Sequence, residues 1–434
     1  MSEALVHKVR AAARPLQQPS DLDPLLERIG DARVVLLGEA THGTSEYYGW
    51  RARISERLLL EKDFSFLAVE GDWPDCYRLS RYVKGREDAG GSAFEVLHAF
   101  DRWPTWMWAN QEIVELAEWL RTFNEGREPD DRVGFFGLDV YSLWDSLHAV
   151  LDFVRKIDGA SLEHARQALR CFDPYGEDAQ VYARATRFVG ESCEAEVVGL
   201  LRDLRARREA LRADGSRDAF FDAEQNALVA RNAEAYYRAM VRGGGASWNL
   251  RDKHMMETLE RLLRHHGPKA KAIVWEHNTH VGDARYTDMA RAGMWNIGQL
   301  AREAWGEDRV VLVGFGSHRG TVIAGEEWEA PMMRMPVPAA RQGSWEDVLH
   351  RASPQDKLLV FGGEADEEML AVRPHRAIGV VYHPQWESYG NYVPTVLPRR
   401  YDAFLYVDQS HALEPLHFVE RSEHDYPETW PSGF

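Results

Sequence analysis

The chain has 434 residues, 44% of them hydrophobic, enough for one large core with insertions or for two domains in close contact. Asp and Glu outnumber Lys and Arg by 69 to 52, and the formal charge of −17 is spread along the chain, so a nucleic-acid partner, which needs a basic surface, is not expected. Three distant cysteines (Cys76, Cys171, Cys193) lack metal or redox spacing, which implies no disulfide framework and a reducing, cytoplasmic setting.

The opening stretch MSEALVHKVRAAARPL carries charges at intervals and lacks the apolar core of a secretory signal. No run approaches the roughly 18 apolar residues of a membrane span, so no membrane partner is expected. Short runs rich in Val, Ile, Leu and Phe predict strands buried on both faces: Val34 to Leu37, Phe66 to Val69, Val133 to Phe136, Ala272 to Trp275, Val310 to Val313, Leu358 to Phe361, Ile378 to Tyr382 and Phe404 to Val407. Glu46 to Leu60 and Gln111 to Phe123 repeat apolar residues every three or four positions, as helices covering a sheet do.

From Ser142 to His266 the strand signal stops. An Ala- and Arg-rich helical pattern replaces it, broken at Asp173-Pro174 and at Gly243-Gly244-Gly245, with the last helix expected to start near a capping Asn249. The predicted fold is α/β: a mainly parallel central sheet flanked by helices. Residues 1–141 and 267–434 form its two parts, and 142–266 form a helical insertion over the carboxyl ends of the strands.

The strand runs end in acids, histidines and glycines, and ligands of open α/β sheets bind outside the carboxyl ends of strands. After Val34 to Leu37 comes Gly38-Glu39-Ala40-Thr41-His42-Gly43, in which Glu39 and His42 can face one another. A carboxylate beside imidazole fixes its tautomer and stabilises its charged form, so His42 is the expected base. Glu70 ends the second run, and an unpaired buried carboxylate is costly, so it needs a partner, His42 or Arg51. Arg51 lies two turns into the following helix. His277 and His280, beyond Ala272 to Trp275, could act as a second acid, as oxyanion donors or as metal ligands. Glu46, Asp139, Asn278 and the tryptophans Trp103, Trp106 and Trp108 are the expected substrate-binding residues; Glu46 is equally explained by the field at a helix N-terminus, and the indoles by core filling. His318 and His383 have no carboxylate close by in sequence and are expected to be structural.

There is no G-x-S-x-G elbow, no phosphate loop and no G-x-G-x-x-G after the first strand, and Gly314-Phe315-Gly316 is a weak glycine signal. Water activated by histidine is the simplest chemistry left. The expected cofactor is none. A divalent ion held by Glu39, Glu70, His42, His277 and His280 is the second reading, and a non-catalytic ligand- or metal-binding protein the third.

The segments VVLLGEATHGTSEYYGWRAR, FLAVEGDWPDCYRLSRYV, WPTWMWANQEIVELAEWLRTFN, VGFFGLDVYSLW, WNLRDKHMMETLERLL and KAIVWEHNTHVGD resemble the erythromycin esterase family, in order, from about Asp31 to Leu416. The resemblance implies an α/β fold with a helical insertion and a deep cleft. It also implies a carboxylic ester hydrolase acting on a small-molecule ester or lactone, in which the histidine of G-E-x-x-H-G, here His42 with Glu39, activates water. Macrolide lactones, and hence antibiotic resistance, are the substrates and role the family name suggests. Arg51, Glu70, His277 and His280 would line the cleft.

Overall fold

Val34–Leu37, Phe66–Val69 and Ala272–Trp275 have no polar residue to turn toward water, and each is a strand with every position buried. The structure, a computed structural model, describes residues 3–157, 162–176, 178–189, 192–206, 217–362 and 367–418. Its strands are β1 (Arg14–Pro15), β2 (Val34–Leu37), β3 (Phe66–Val69), β4 (Gly134–Gly137), β5 (Ala272–Trp275), β6 (Val310–Ala324), β7 (Met333–Val337), β8 (Lys357–Val360), β9 (Arg373–Arg376), β10 (Tyr392–Thr395) and β11 (Ala403–Ser410).

Nine of them form one sheet in the order β1-β8-β11-β6-β2-β5-β3-β4, with β7 paired to β6. The run from β11 through β6, β2, β5 and β3 to β4 is parallel, whereas β1, β7 and β8 add antiparallel pairs. Alternation along β2 sends Val35 and Leu37 into one core cluster and Val34 and Leu36 into the other, so the sheet is covered on both faces. The covering helices include Ser45–Glu61 and Gln111–Asn124.

Two expectations about elements fail. Ile378 to Tyr382 is not a strand: Ile378 and Val381 make only isolated bridges, to Thr41 and Gly325, so this apolar run is buried by lying against loops. The last helix before β5 spans Ala246–His266, so Asn249 lies inside it and caps nothing. Gly243 and Gly244, at φ of 73° and 80°, turn the chain earlier than the sequence suggests. Asn249 instead bonds the Gly293 carbonyl and the Trp295 N–H.

Between β4 and β5 the described residues form the helices Leu143–Ile157, Leu162–Phe172, Ala179–Val189, Glu194–Ala206, Arg217–Met240 and Ala246–His266. The sixth packs Met255, Leu259 and Leu262 into a cluster against the sheet, whereas the first five share a hydrophobic cluster built from Leu147, Val154, Leu200, Leu204 and Leu228, among others. Cys171 and Cys193 meet there in a disulfide, against the expectation of none. The helix Leu162–Phe172 and the residue just before the helix Glu194–Ala206 bring together cysteines whose spacing carries no signal, and such a bond is at odds with a reducing compartment. Cys76 is free and buried. The unreduced, denatured chain is therefore expected to titrate one thiol and the reduced chain three; three thiols before reduction would refute the bond. Among the described residues no helix is long and apolar enough to cross a membrane.

Candidate active site

The loop after β2 is held by close backbone contacts. A Cβ on Gly43 would lie 2.0 Å from the Ile323 carbonyl, so that position tolerates no side chain, and one on Gly38 would lie 2.1 Å from Asn278 Oδ1 and displace that amide. The Gly43 carbonyl accepts from the Ile323 and Leu413 N–H groups, each at 3.0 Å, and the Ser45 N–H donates to the His411 carbonyl at 2.8 Å. Between the glycines, His42 Nδ1 lies 2.8 Å from Glu39 Oε1. The second carboxylate oxygen accepts from Arg51 at 2.7 Å. Arg51 is wholly buried, with its guanidinium over the rings of Tyr48 and Trp275 at 4.3 and 4.7 Å. It steadies Glu39 from behind. With Nδ1–H donating to Glu39, Nε2 of His42 is the atom free to take a proton.

Glu70 is paired with neither His42 nor Arg51. Its Oε2 accepts from the His277 backbone N–H at 2.8 Å, and its Oε1 accepts from Arg251 at 2.7 Å. The Arg251 fork also donates to both Asp139 oxygens, at 2.9 and 2.6 Å, and to His280 Nε2 at 3.0 Å. An arginine N–H can only donate, so Nε2 of His280 accepts and the ring proton lies on Nδ1, 3.0 Å from Asp252. Trp248 stacks on the same imidazole, 4.4 Å away and within 4° of parallel.

Histidine 277 is the other ring near His42, with centroids 4.9 Å apart. Its Nδ1 accepts from the Thr279 N–H at 3.3 Å and lies 2.8 Å from Thr279 Oγ1, which puts the proton of the neutral ring on Nε2. That atom is buried with no hydrogen-bond partner, near the Ala40 carbonyl. Burial first, and the neighbouring His42 second, hold the His277 pKa well below the ordinary imidazole value. For His42 burial also works against the charged ring, but the Glu70 and Glu39 carboxylates outweigh it and raise the pKa. Glu70 is pushed up by burial and pulled down further by His280, Arg251, His42 and His277, so it stays ionised well below the usual carboxylate range.

Glu39, His42, Arg51, Glu70, Asp139, His277 and His280 thus come together. The remaining expected residues do not join them. Glu46 holds the outer surface through the His411 N–H at 2.8 Å. Asn278 braces β6, with Nδ2 2.6 Å from the Phe315 carbonyl. Trp106 is core, Trp108 is core with its N–H on the Glu70 carbonyl at 3.0 Å, and Trp103 is half-buried against Trp328. His318 stacks on His350, and His383 is exposed.

Sequence reasoning missed Trp248, Arg251, Asp252 and Glu276. The first three share one helix face at i, i+3 and i+4, within the quoted WNLRDKHMM motif. Glu276 stands in the strand-end motif and is fully buried, with both oxygens unpartnered. Burial, then the Glu70 and Asp252 charges, raise its pKa well above the ordinary carboxyl value. The folded state therefore holds a proton that the unfolded chain releases above pH ~4.3, and stability falls as pH rises through that window. Glu276→Gln is expected to melt higher than the parent at pH 7, with the gap closing in acid; an unchanged or lower melting temperature at pH 7 would count against it.

The Glu39 and Glu70 carboxylates and the His280 ring, proposed as metal ligands, are committed to these protein bonds, and among the described residues no group of three or more His, Cys, Asp or Glu side chains is arranged to hold an ion. The sequence matches the erythromycin esterase family over residues 59–410, a span that includes Glu70, Arg251, His277 and His280 and begins after the Glu39–His42 loop. It is 24% identical to erythromycin esterase type II of Escherichia coli over 70% of this chain and 73% of that one. It is 21% identical to the putative hydrolase YbfO of Bacillus subtilis (strain 168) over 93% and 90%. Solved structures with the same fold include a succinoglycan biosynthesis protein, with TM-score 0.77 and 22% identity over 95% of this chain and 98% of that one. A mutant of the erythromycin esterase EreC in its open conformation superposes with TM-score 0.65 and 17% identity over 93% and 97%. With the family match spanning most of its length, this chain belongs to the erythromycin esterase family.

Proposed function

We propose that the protein is a carboxylic ester hydrolase that opens a small-molecule ester or lactone with water. The observation that carries this reading is the His42–Glu39 pair, 2.8 Å apart, with His42 Nε2 free beside an unpartnered His277 Nε2. His42 Nε2 takes a proton from water as the water oxygen bonds to the ester carbonyl carbon. The carbonyl oxygen becomes an oxyanion, and His277 Nε2–H donates to it as a neutral imidazole. As the intermediate collapses, the carbon–oxygen bond to the leaving group breaks and the alkoxide takes the proton back from His42, leaving acid and alcohol. Glu39, held by Arg51, and Glu70, held by Arg251, stabilise the transient imidazolium.

No step in this scheme draws on a metal. Activity on a panel of alkyl and aryl esters and lactones, macrolides included, is expected to survive chelation. It is also expected to rise with pH through a limb above roughly pH 6.5, because the neutral His42 is the working form and its pKa lies above the ordinary imidazole value. No turnover across the panel by folded protein would sink the proposal, as would activity lost to chelator and restored by metal.

A further inference from the structure

The side chains of the centre differ in exposure: Arg251 is 13% exposed, His42 8%, Glu70 4% and His280 3%. Arg251 is thus the outermost, and it comes from the helical segment between β4 and β5. Its one guanidinium ties together side chains from three neighbouring strand ends: Asp139 after β4, Glu70 after β3 and His280 after β5. The helix that carries it closes on His280 from three directions. Trp248 lies on the ring face, Arg251 donates to Nε2 and Asp252 accepts from Nδ1.

Resting on the proposed function, we infer that Arg251 is a positioning residue of the reaction: it pins the His280 ring in its Nδ1–H form and moderates the field of Glu70 at His42. Pinned in this way, His280 has no free nitrogen for proton transfer and serves as the peg on which the helix docks. The charged and titratable groups facing the His42 ring are Glu39 from its own loop, Glu70 from the end of β3, His277 from the end of β5 and Arg251 from the helix. Arg51 stands behind Glu39. Glu70 and Glu39 favour the charged His42 and Arg251 opposes it. Replacing Glu70 or Arg251 must therefore move His42 in opposite directions, which loss of packing alone does not require.

The test is an NMR titration of the full chain labelled in its histidine rings, with resonances assigned from His42→Gln and His280→Gln variants. It reads the imidazoles directly and needs no substrate. The His42 midpoint is expected to rise by about half a pH unit or more in Arg251→Gln and to fall by a similar amount in Glu70→Gln. In Arg251→Lys, which keeps the charge without the planar fork, it should stay near the parent value while the His280 Nε2 resonance moves, Asp252 still holding the proton on Nδ1. A parent chain with His280 in the Nε2–H form overturns the inference, and so does a folded Arg251→Gln variant with an unmoved or lowered His42 midpoint. If Arg251→Gln does not fold, the parent tautomer and the Arg251→Lys spectrum decide. Ester assays run beside the titration separate the two claims: the predicted shifts without hydrolysis retain the role of Arg251 and defeat the hydrolase reading.

Discussion

Alanine at position 42 is expected to slow ester hydrolysis by about two to four orders of magnitude while the melting temperature stays close to that of the parent. Among the described residues the ring's side-chain hydrogen bond is to Glu39, and Glu39 keeps its bond to Arg51 when the imidazole is gone. What is lost is the only atom of the pair able to accept a proton from water. The measurement is kcat/KM on whichever panel ester is turned over, together with a melting curve of the same preparation. Residual activity near the parent level would remove His42 from the mechanism. His277→Gln should act more mildly, since a side-chain amide can still donate to the oxyanion.

Arg51→Met has its largest effect on folding. Arg51 is wholly buried and Glu39 is 1% exposed, so removing the guanidinium leaves a carboxylate in the interior with no countercharge. Breaking a buried pair in this way costs about 3–5 kcal/mol, to be read as a lower midpoint in denaturant. Glu39→Leu made in the Arg51→Met background should recover much of that loss, because the stranded charge is gone, yet remain inactive because nothing holds His42. A single variant as stable as the parent would show that Glu39 finds another partner or takes up a proton.

Much of the frame was legible in the chain. Runs such as Val34–Leu37 and Ala272–Trp275 announce themselves because a strand buried on both faces has no use for polar residues and ends where they resume. Ile378 to Tyr382 carries the same composition but is buried by loops, a tertiary fact that composition does not encode. In the site, the residues at strand ends were found because they interrupt an apolar pattern. Arg251 was not: an arginine in a charged helix looks like surface until Asp139 and Glu70 are brought to it. Glu70 was correctly expected to need a partner, and the partner came from a part of the chain that local spacing cannot connect to it. The disulfide failed for the same reason, since the bundle, and not the spacing of 22 residues, brings its sulfurs together.

The grip of Leu413 and His411 on the loop that carries the base has a consequence for synthesis. A nascent chain exposes residue 42 well before its clasp, which follows more than 360 residues later. Until that segment leaves the ribosome and lies down beside Gly43, the loop is held on one side alone, by partners such as the Ile323 and Asn278 N–H groups. A chain released before residue 411 would carry the side chains of the centre but lack the Leu413 and His411 half of the backbone clamp that holds its base.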